Sequence, residues 1–363
     1  MIDPVEPLRR WRAARARRRA LWARLEQLPT EVDEQAMAQA HQAGELALLG
    51  EAHHDTRLLA DHAATVAGDA YAAAGDLRPW IAALDERSSG EAQKAAVVHD
   101  HELRLERIER QLAVVWFGRL LAHTPVPEGP LVSVILPTFD RAALLPEAIA
   151  SVREQSYGRW ELLVVDDGST DGTAALLDGY DDPRIRRFHS DRLGASGARN
   201  VALDEVRVEI VAYLDSDNRL DRDWLKAVVW GFDAHPGEDA LYGARVIDHP
   251  DRVYGPDVGP FPGLQFEPFD RAALEEGNFA DMGVLAHRAG LDVRFDEALR
   301  WYGDWDLFLQ LTAERPPLEL PAVAVYYATA PEDRLTPLAG AAQPPEVTHD
   351  YERVRAKHGR SRR

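Results

Sequence analysis

The sequence predicts an α/β protein: a mainly parallel sheet flanked by helices, preceded by an all-α region. Three observations carry that expectation. LVSVILP (131–137), ELLVVDD (161–167) and EIVAYLDSD (209–217) are unbroken apolar runs of strand length that end in a turn or in acids. Strands that read this way are buried on both faces and need helices on each side. Amphipathic stretches near 143–155, 173–179 and 196–207 fill the intervals as crossover helices. Residues 1–124, by contrast, are rich in Ala, Leu, Arg and Glu and poor in β-branched residues, a helical composition.

Within that first region, helices are expected over roughly 5–27, 31–50, 54–74 and 91–122, punctuated by Pro29, Gly75 and Ser88-Ser89-Gly90. The last is long and amphipathic, suited to packing on neighbouring helices or to a coiled-coil seam with another chain. TPVPEGP, with three prolines between Thr124 and Pro130, breaks the pattern. The expected organisation is therefore a helical accessory domain (1–124), a Pro-rich linker (125–130), an α/β domain (131–335) and an extended basic tail (336–363).

The composition narrows the function classes. The 363 residues contain no cysteine, which excludes disulfides, thiolate nucleophiles and Fe–S clusters, and fits a reducing compartment. The net charge is −19, yet residues 1–24 hold eight arginines against Asp3 and Glu6, and 351–363 hold six basic residues against Glu352. The body between is strongly acidic, which argues against binding nucleic acid. No apolar run is long enough to cross a bilayer, and MIDPVEPLRRWR lacks the apolar core of a signal peptide. The expected location is cytoplasmic. The Arg-rich stretch 9–19 is compatible with peripheral membrane docking, a protein partner or a homo-oligomer.

The candidate chemistry lies at the strand ends, where open α/β sheets bind ligands. The first strand runs into Pro137-Thr138-Phe139-Asp140, the second into Asp166-Asp167-Gly168-Ser169, and a later one into Asp215-Ser216-Asp217-Asn218. Neighbouring carboxylates repel unless a cation or donors compensate, and Asp-x-Asp supplies hard oxygens suited to Mg²⁺ or Mn²⁺ carrying a nucleotide diphosphate. Thr170 and Asp171 are expected only to cap a helix. GASGARN (194–200) follows a third strand and so fails as a dinucleotide fingerprint; it starts a helix that places Arg199 near either an anion or a partner carboxylate such as Asp166 or Asp215. No P-loop motif is present.

VSVILPTFDR, WELLVVDDGSTDGT, GASGARNVAL, VAYLDSDNRLDRDWL and RWYGDWDLFLQL together resemble the family 2 glycosyltransferases, in that family's order and spacing over about 131–330. The resemblance implies a GT-A fold, Rossmann-like, and inverting transfer from a nucleotide sugar. It implies that Pro137, Thr138, Phe139, Asp140, Asp166, Asp167, Gly194, Arg199, Asp215 and Ser216 hold the donor, with Asp167 on the base and ribose. It also implies Mn²⁺ or Mg²⁺ on Asp217, supported by Asp215. Asp304 becomes the catalytic base, with Gly303 standing where the family commonly has Glu. His287, Trp301, Tyr302 and Asp306 fall near the acceptor side, although a structural hydrogen bond suits His287 better, a core position is the commoner fate of aromatics before a helix, and Asp306 points away from the face of Asp304. His349 is a weak metal candidate. UDP or dTDP donors are favoured and the acceptor is an unspecified hydroxyl. The missing Gln-x-x-Arg-Trp motif favours single additions over polymerisation.

Two other classes compete. A sugar nucleotidyltransferase would need a Gly-rich basic signature after the first strand, where PTFDRAALLP offers only Arg141. A non-catalytic interaction protein with a degenerate transferase domain would not need Asp167, Asp215, Asp217 and Asp304 intact. Segment 252–268, rich in Gly and Pro, is expected to order over the acceptor cleft.

Overall fold

The computed structural model describes residues 91–125, 128–248, 263–328 and 345–359. The helices expected over 5–27, 31–50 and 54–74, the Arg-rich stretch and most of loop 252–268 lie outside the described residues.

The first strand, β1 (Val132–Thr138), is buried at all seven positions. It pairs in parallel with β2 (Trp160–Asp166) on one side and β4 (Ile210–Tyr213) on the other, while β3 (Ile185–His189) adds in parallel beyond β2. Pro137 is tolerated in this central strand because pairing with β4 ends at Ile135↔Tyr213, so its missing N–H breaks no ladder bond on that side. Helices α2 (Leu145–Arg153), α3 (Thr173–Asp178) and α4 (Gly194–Glu205) connect the four strands. The predicted strands and crossover helices of this half are all observed, with ends shifted by a few residues. The four parallel strands and their helices are the α/β layer that the periodicity foretold.

The second half is a mixed sheet. After β5 (Arg219–Leu220) and α5 (Trp224–Ala234) come β6 (Ala240–Asp248), β7 (Leu264–Gln265) and α6 (Arg271–Glu276). Then follow β8 (Leu285–Arg288), α7 (Gly303–Leu311) and β9 (Leu318–Ala328). The order across the sheet is β3-β2-β1-β4-β8-β6-β9-β5, with β7 on β6. Strand β8 runs antiparallel to both β4 and β6. Asp281 opens a single 3₁₀ turn (Met282–Val284) before β8 begins. At Gly243 the β6–β9 register slips, and a Cβ there would meet the Trp224 ring at 2.7 Å and the Ala322 carbonyl at 2.9 Å. Only glycine lets the strand pass so close to that indole.

Two helices outside the sheet dock on it. Helix α1 (Glu91–His123) buries Val114, Phe117 and Leu121 on the α/β unit, with Phe117 edge-on to Trp230 at 5.1 Å. Arg110, 2 % exposed, donates to the Glu319 carboxylate at 2.5 Å and to the Glu267 carbonyl at 2.7 Å. Buried Lys226 closes the end of α1 by donating to the Leu121 and Thr124 carbonyls, where a cation suits the helix dipole. Of the two uses open to this amphipathic helix, packing on its own chain is the one seen along its second half. The second docked helix is α8 (Pro345–His358), which buries Val347 and Val354. This corrects the extended tail expected from residue 336: Pro345 starts a helix whose apolar positions, seven residues apart, share one face.

Candidate active site

The carboxyl ends of β1 and β2 are tied to each other through backbone donors. Asp140 accepts from Thr170 N at 2.6 Å and Asp171 N at 3.2 Å, and its own N–H donates to Ser169 Oγ at 2.9 Å. Asp171 accepts from Thr173 N at 2.8 Å and Ala142 N at 3.0 Å, the capping role expected of it. Asp140 was expected among the donor-binding residues; its Oδ1 braces the two loops from a residue held at φ 49°, a backbone conformation that Asp tolerates. Phe139 beside it is 41 % exposed, with the Arg192 guanidinium 5.0 Å from its ring.

The aspartate pair divides its work. Asp167 Oδ1 accepts from Ser190 Oγ at 2.7 Å and Leu193 N at 2.8 Å, and Oδ2 accepts from Gly194 N at 2.7 Å. Buried Asp167 therefore fastens β2 to the start of α4, and its expected contact with base and ribose competes with three internal donors. Among the described residues Asp166 accepts only from Ser169 N, at 3.0 Å on Oδ1. Thr138, at the end of β1, is 3 % exposed and its hydroxyl has no hydrogen-bond partner among the described residues. A buried hydroxyl left unpaired at a sheet edge signals a missing partner. Pro137, just behind it, belongs to the buried strand. Gly194 (φ 78°) and Arg192 (φ 55°) shape the loop into α4 with left-handed backbone.

From α4, Arg199 reaches Asp215 at the end of β4 in a 2.5 Å ion pair and covers the Phe295 ring at 5.3 Å. Of the two partners the sequence left open, the carboxylate is the one it holds, and it is Asp215 rather than Asp166. Asp215 also starts a tight turn, since Asn218 N donates to its carbonyl at 3.1 Å. Within the turn Ser216 is buried and Asp217 half-buried. Among the described residues no group of three His, Cys, Asp or Glu side chains is gathered for a metal. The donor set still fits a hard cation that takes its remaining ligands from phosphate oxygens and water: two carboxylates in one turn, with Asp215 Oδ2 left over by Arg199.

Facing this turn are two further acids. Asp304, in the first turn of α7, accepts from Asn278 Nδ2 at 2.9 Å and from Trp305 N at 2.8 Å. Burial pushes its carboxyl above the usual range and the nearby Asp215 charge adds to this, while the Trp305 N–H, Arg199 and Asn278 oppose it. Gly303 has a steric reason to be glycine: a Cβ there would lie 2.8 Å from Ser196 Oγ. Asp281, buried between β7 and β8, is pushed up to about 7 by burial and by the charges of Asp215 and Asp304. Neither Asp281 nor Asn278 was singled out from the sequence. Asp281 reads as an isolated acid at the head of an apolar run, and Asn278 carries no motif.

Two candidates are placed elsewhere. His287, expected at the acceptor side, is 2 % exposed beneath β4. Its Nδ1 lies 2.7 Å from the Arg288 carbonyl, an acceptor only, so Nδ1 carries the proton and Nε2 accepts from the Tyr213 hydroxyl at 2.8 Å. Burial lowers its pKa to about 4. Asp306 is fully buried and paired with Lys357 at 2.8 Å and His358 at 2.6 Å, because two residues along a helix turn it away from the face of Asp304. Burial would raise its carboxyl, but the bonds from His358 and Lys357 prevail and hold it below the usual range. Trp301 and Tyr302 precede α7 and Tyr302 packs edge-on to Trp305 at 5.7 Å. His349 is exposed on α8 beside Asp350.

Comparison with known proteins bears on this arrangement. Residues 133–292 match the family described as Glycosyl transferase family 2. The chain is 40 % identical over 89 residues to an Escherichia coli UDP-Glc:alpha-D-GlcNAc-diphosphoundecaprenol beta-1,3-glucosyltransferase, covering 24 % of this chain and 35 % of that protein. It is 31 % identical over 199 residues to the succinoglycan biosynthesis protein ExoO of Rhizobium meliloti, covering 52 % and 57 %. The chain thus spans less than two thirds of the length of either relative. Among solved structures, that of S. aureus TarS 1-349 in complex with UDP-GlcNAc is similar with a TM-score of 0.50 at 21 % identity, over 62 % of this chain and 66 % of that one. That likeness concerns the fold, which is the GT-A fold expected. Among the described residues no helix is long and apolar enough to cross a membrane.

Proposed function

Residues 133–292 match glycosyltransferase family 2, and from that match we propose that this chain is a member that transfers a sugar from a nucleotide diphosphate sugar to a hydroxyl of an acceptor, with a divalent cation and with inversion at the anomeric carbon. The observation that carries the reading is the meeting, at one sheet edge, of the Arg199–Asp215 pair with Asp304, a carboxyl held high by burial.

In this reading the base and ribose lie against Thr138, Phe139 and Asp166, where a buried hydroxyl and a carboxylate oxygen stand without partners while Asp167 keeps the wall in shape. Asp217 and Asp215 hold Mg²⁺ or Mn²⁺, which supplies charge compensation for the departing nucleoside diphosphate. Arg199 stands beside the same diphosphate oxygens, a fixed fork for anions. Asp304 accepts the proton of the acceptor hydroxyl as that oxygen attacks. A base with a raised pKa suits this task, because it takes the proton more readily than an ordinary carboxylate does. Asn278 fixes one of its oxygens and leaves the other directed by the helix start. In this reading the region before residue 94 serves acceptor binding, docking or self-association, while α1, which the sequence reading grouped with it, packs on the α/β unit.

The test is a thermal-shift panel of UDP, GDP, dTDP and CDP, each with and without Mn²⁺, on wild type and Asp217→Ala. A base-selective, metal-dependent rise in Tm that the variant loses is expected, since a ligand of the native state alone must stabilise it. Silence with every nucleotide would sink the proposal. Asp304→Asn should keep the nucleotide shift yet slow transfer about a thousandfold. The wild-type rate should fall as pH drops through the raised Asp304 pKa, because only the ionised carboxylate accepts a proton.

A further inference from the structure

Helix α8 grips the loop that leads into Asp304 at three levels. Asp350, 5 % exposed, accepts from both Arg300 N and Trp301 N through one oxygen, Oδ2, at 2.9 and 3.0 Å. Tyr351 stacks on Trp305 with ring centroids 5.2 Å apart, meets Tyr302 at 6.0 Å, and donates its hydroxyl to the Glu276 carbonyl at 2.7 Å. One and a half turns on, Lys357 and His358 close on buried Asp306. These contacts bracket Asp304 on both sides in sequence, at 300–302 and at 305–306.

The bracketed backbone is under strain. Tyr302 has φ 63°, a left-handed conformation that is unfavourable for a bulky residue and persists only where its surroundings impose it. Tyr302 gains no side-chain cap for α7 from this conformation. What the strained turn does is set the direction in which α7 starts, and with it the direction of Asp304. The neighbours able to impose it come from α8: the Asp350 carboxylate on the two preceding N–H groups and the Tyr351 ring on the two aromatics.

We propose that α8 is a positioning element for the catalytic base, with Asp350 and Tyr351 as positioning residues that hold the 300–305 turn so that the Asp304 carboxylate faces the Asp215–Asp217 edge. The inference rests on the reading of Asp304 as the base, and goes beyond it by making the reaction depend on a helix that bears no residue of the donor or metal site.

The test uses the full chain and nucleotide release from UDP-glucose, UDP-N-acetylglucosamine, dTDP-glucose and GDP-mannose with Mn²⁺ and water as acceptor, taking the donor that wild type turns over fastest. Asp350→Ala should lower kcat by about 10- to 100-fold, the cost of a base displaced by a fraction of an ångström to an ångström, with KM for the donor within about twofold. Asp350→Asn, whose amide oxygen still accepts from both N–H groups, should recover most of kcat. Tyr351→Leu, which spares the carboxylate, should show a smaller loss of the same kind. In parallel, hydrogen exchange at Arg300 and Trp301 should quicken in Asp350→Ala and not in Asp350→Asn.

A wild-type kcat in Asp350→Ala, with those amides unprotected and Asp304→Asn inactive, would overturn the inference and leave the base reading standing. So would a loss shared between kcat and KM that follows the loss of thermal stability. Full activity in Asp304→Asn would overturn the base reading and the inference with it, as would the absence of turnover with all four donors in wild type.

Discussion

The two halves of the α/β unit are held together by different physics. From β1 to β5 the strand-end loops are joined by short polar bonds onto Asp140, Asp167 and Asp171, each taking two or three donors. From β6 to β9 the equivalent region is held by rings: Tyr242 contacts Phe266, Phe279 and Phe308, and Phe279 in turn contacts Phe308. A carboxylate that takes three donors admits no substitute, whereas a ring in an aromatic cluster can be exchanged for another apolar group at modest cost. The polar half is fixed residue by residue and the aromatic half only in volume and shape.

The sharpest way to break this comparison is Asp167→Ala. It strands Ser190 Oγ and two backbone N–H groups in a buried loop, so urea denaturation should show a loss of about 3–5 kcal/mol, with nucleotide binding lost as well. A loss below about 1 kcal/mol would mean the loop is held by its packing.

An intermediate effect is expected where the halves meet, at the Tyr213–His287 pair. His287 titrates near 4 in the fold against 6.5 ordinarily, so the unfolded chain binds the extra proton between those values. Stability is therefore intact above about pH 6.5 and falls as the pH drops from about 6.5 to about 4, by about 3 kcal/mol in all, with no further loss from this group below that. His287→Gln should flatten that part of the stability profile, whatever it does to stability at pH 7. A profile unchanged in slope between pH 6.5 and 4 would contradict the buried neutral imidazole.

The smallest effect should come from the aromatic half. Phe279→Leu exchanges one half-buried ring for a smaller apolar group and should cost about 1 kcal/mol by urea titration. A loss as large as that of Asp167→Ala would erase the distinction between the halves.

Much of the polar half was legible in the residues. The apolar runs gave β1 and β2 to within a residue at each end and β4 at its start, though β4 stops four residues before its run does, and the acids at their ends marked the edge of the candidate site. Arg199 was expected near an anion or a carboxylate, and the fold chose Asp215. The aromatic half was far less legible. Asn278 and Asp281 join the site through an irregular stretch between α6 and β8, which no periodicity announces. The helix at 345–358 reads as a polar basic tail because its buried face amounts to Val347, Asp350 and Val354, too few apolar positions to register.

The sequence by itself determined the layer of parallel strands and the edge at which chemistry is expected, because each follows from local spacing: unbroken apolar runs, and acids placed where the runs stop. Only the tertiary structure decided which carboxylates are free to act. Asp140, Asp167, Asp306 and Asp350 are chemically equivalent to Asp166 along the chain, yet Asp167 and Asp306 have both oxygens, and Asp140 and Asp350 one oxygen each, taken by donors brought from 4 to 52 residues away. A carboxylate's availability is set by the donors that surround it in space, and those come together only when the chain has folded.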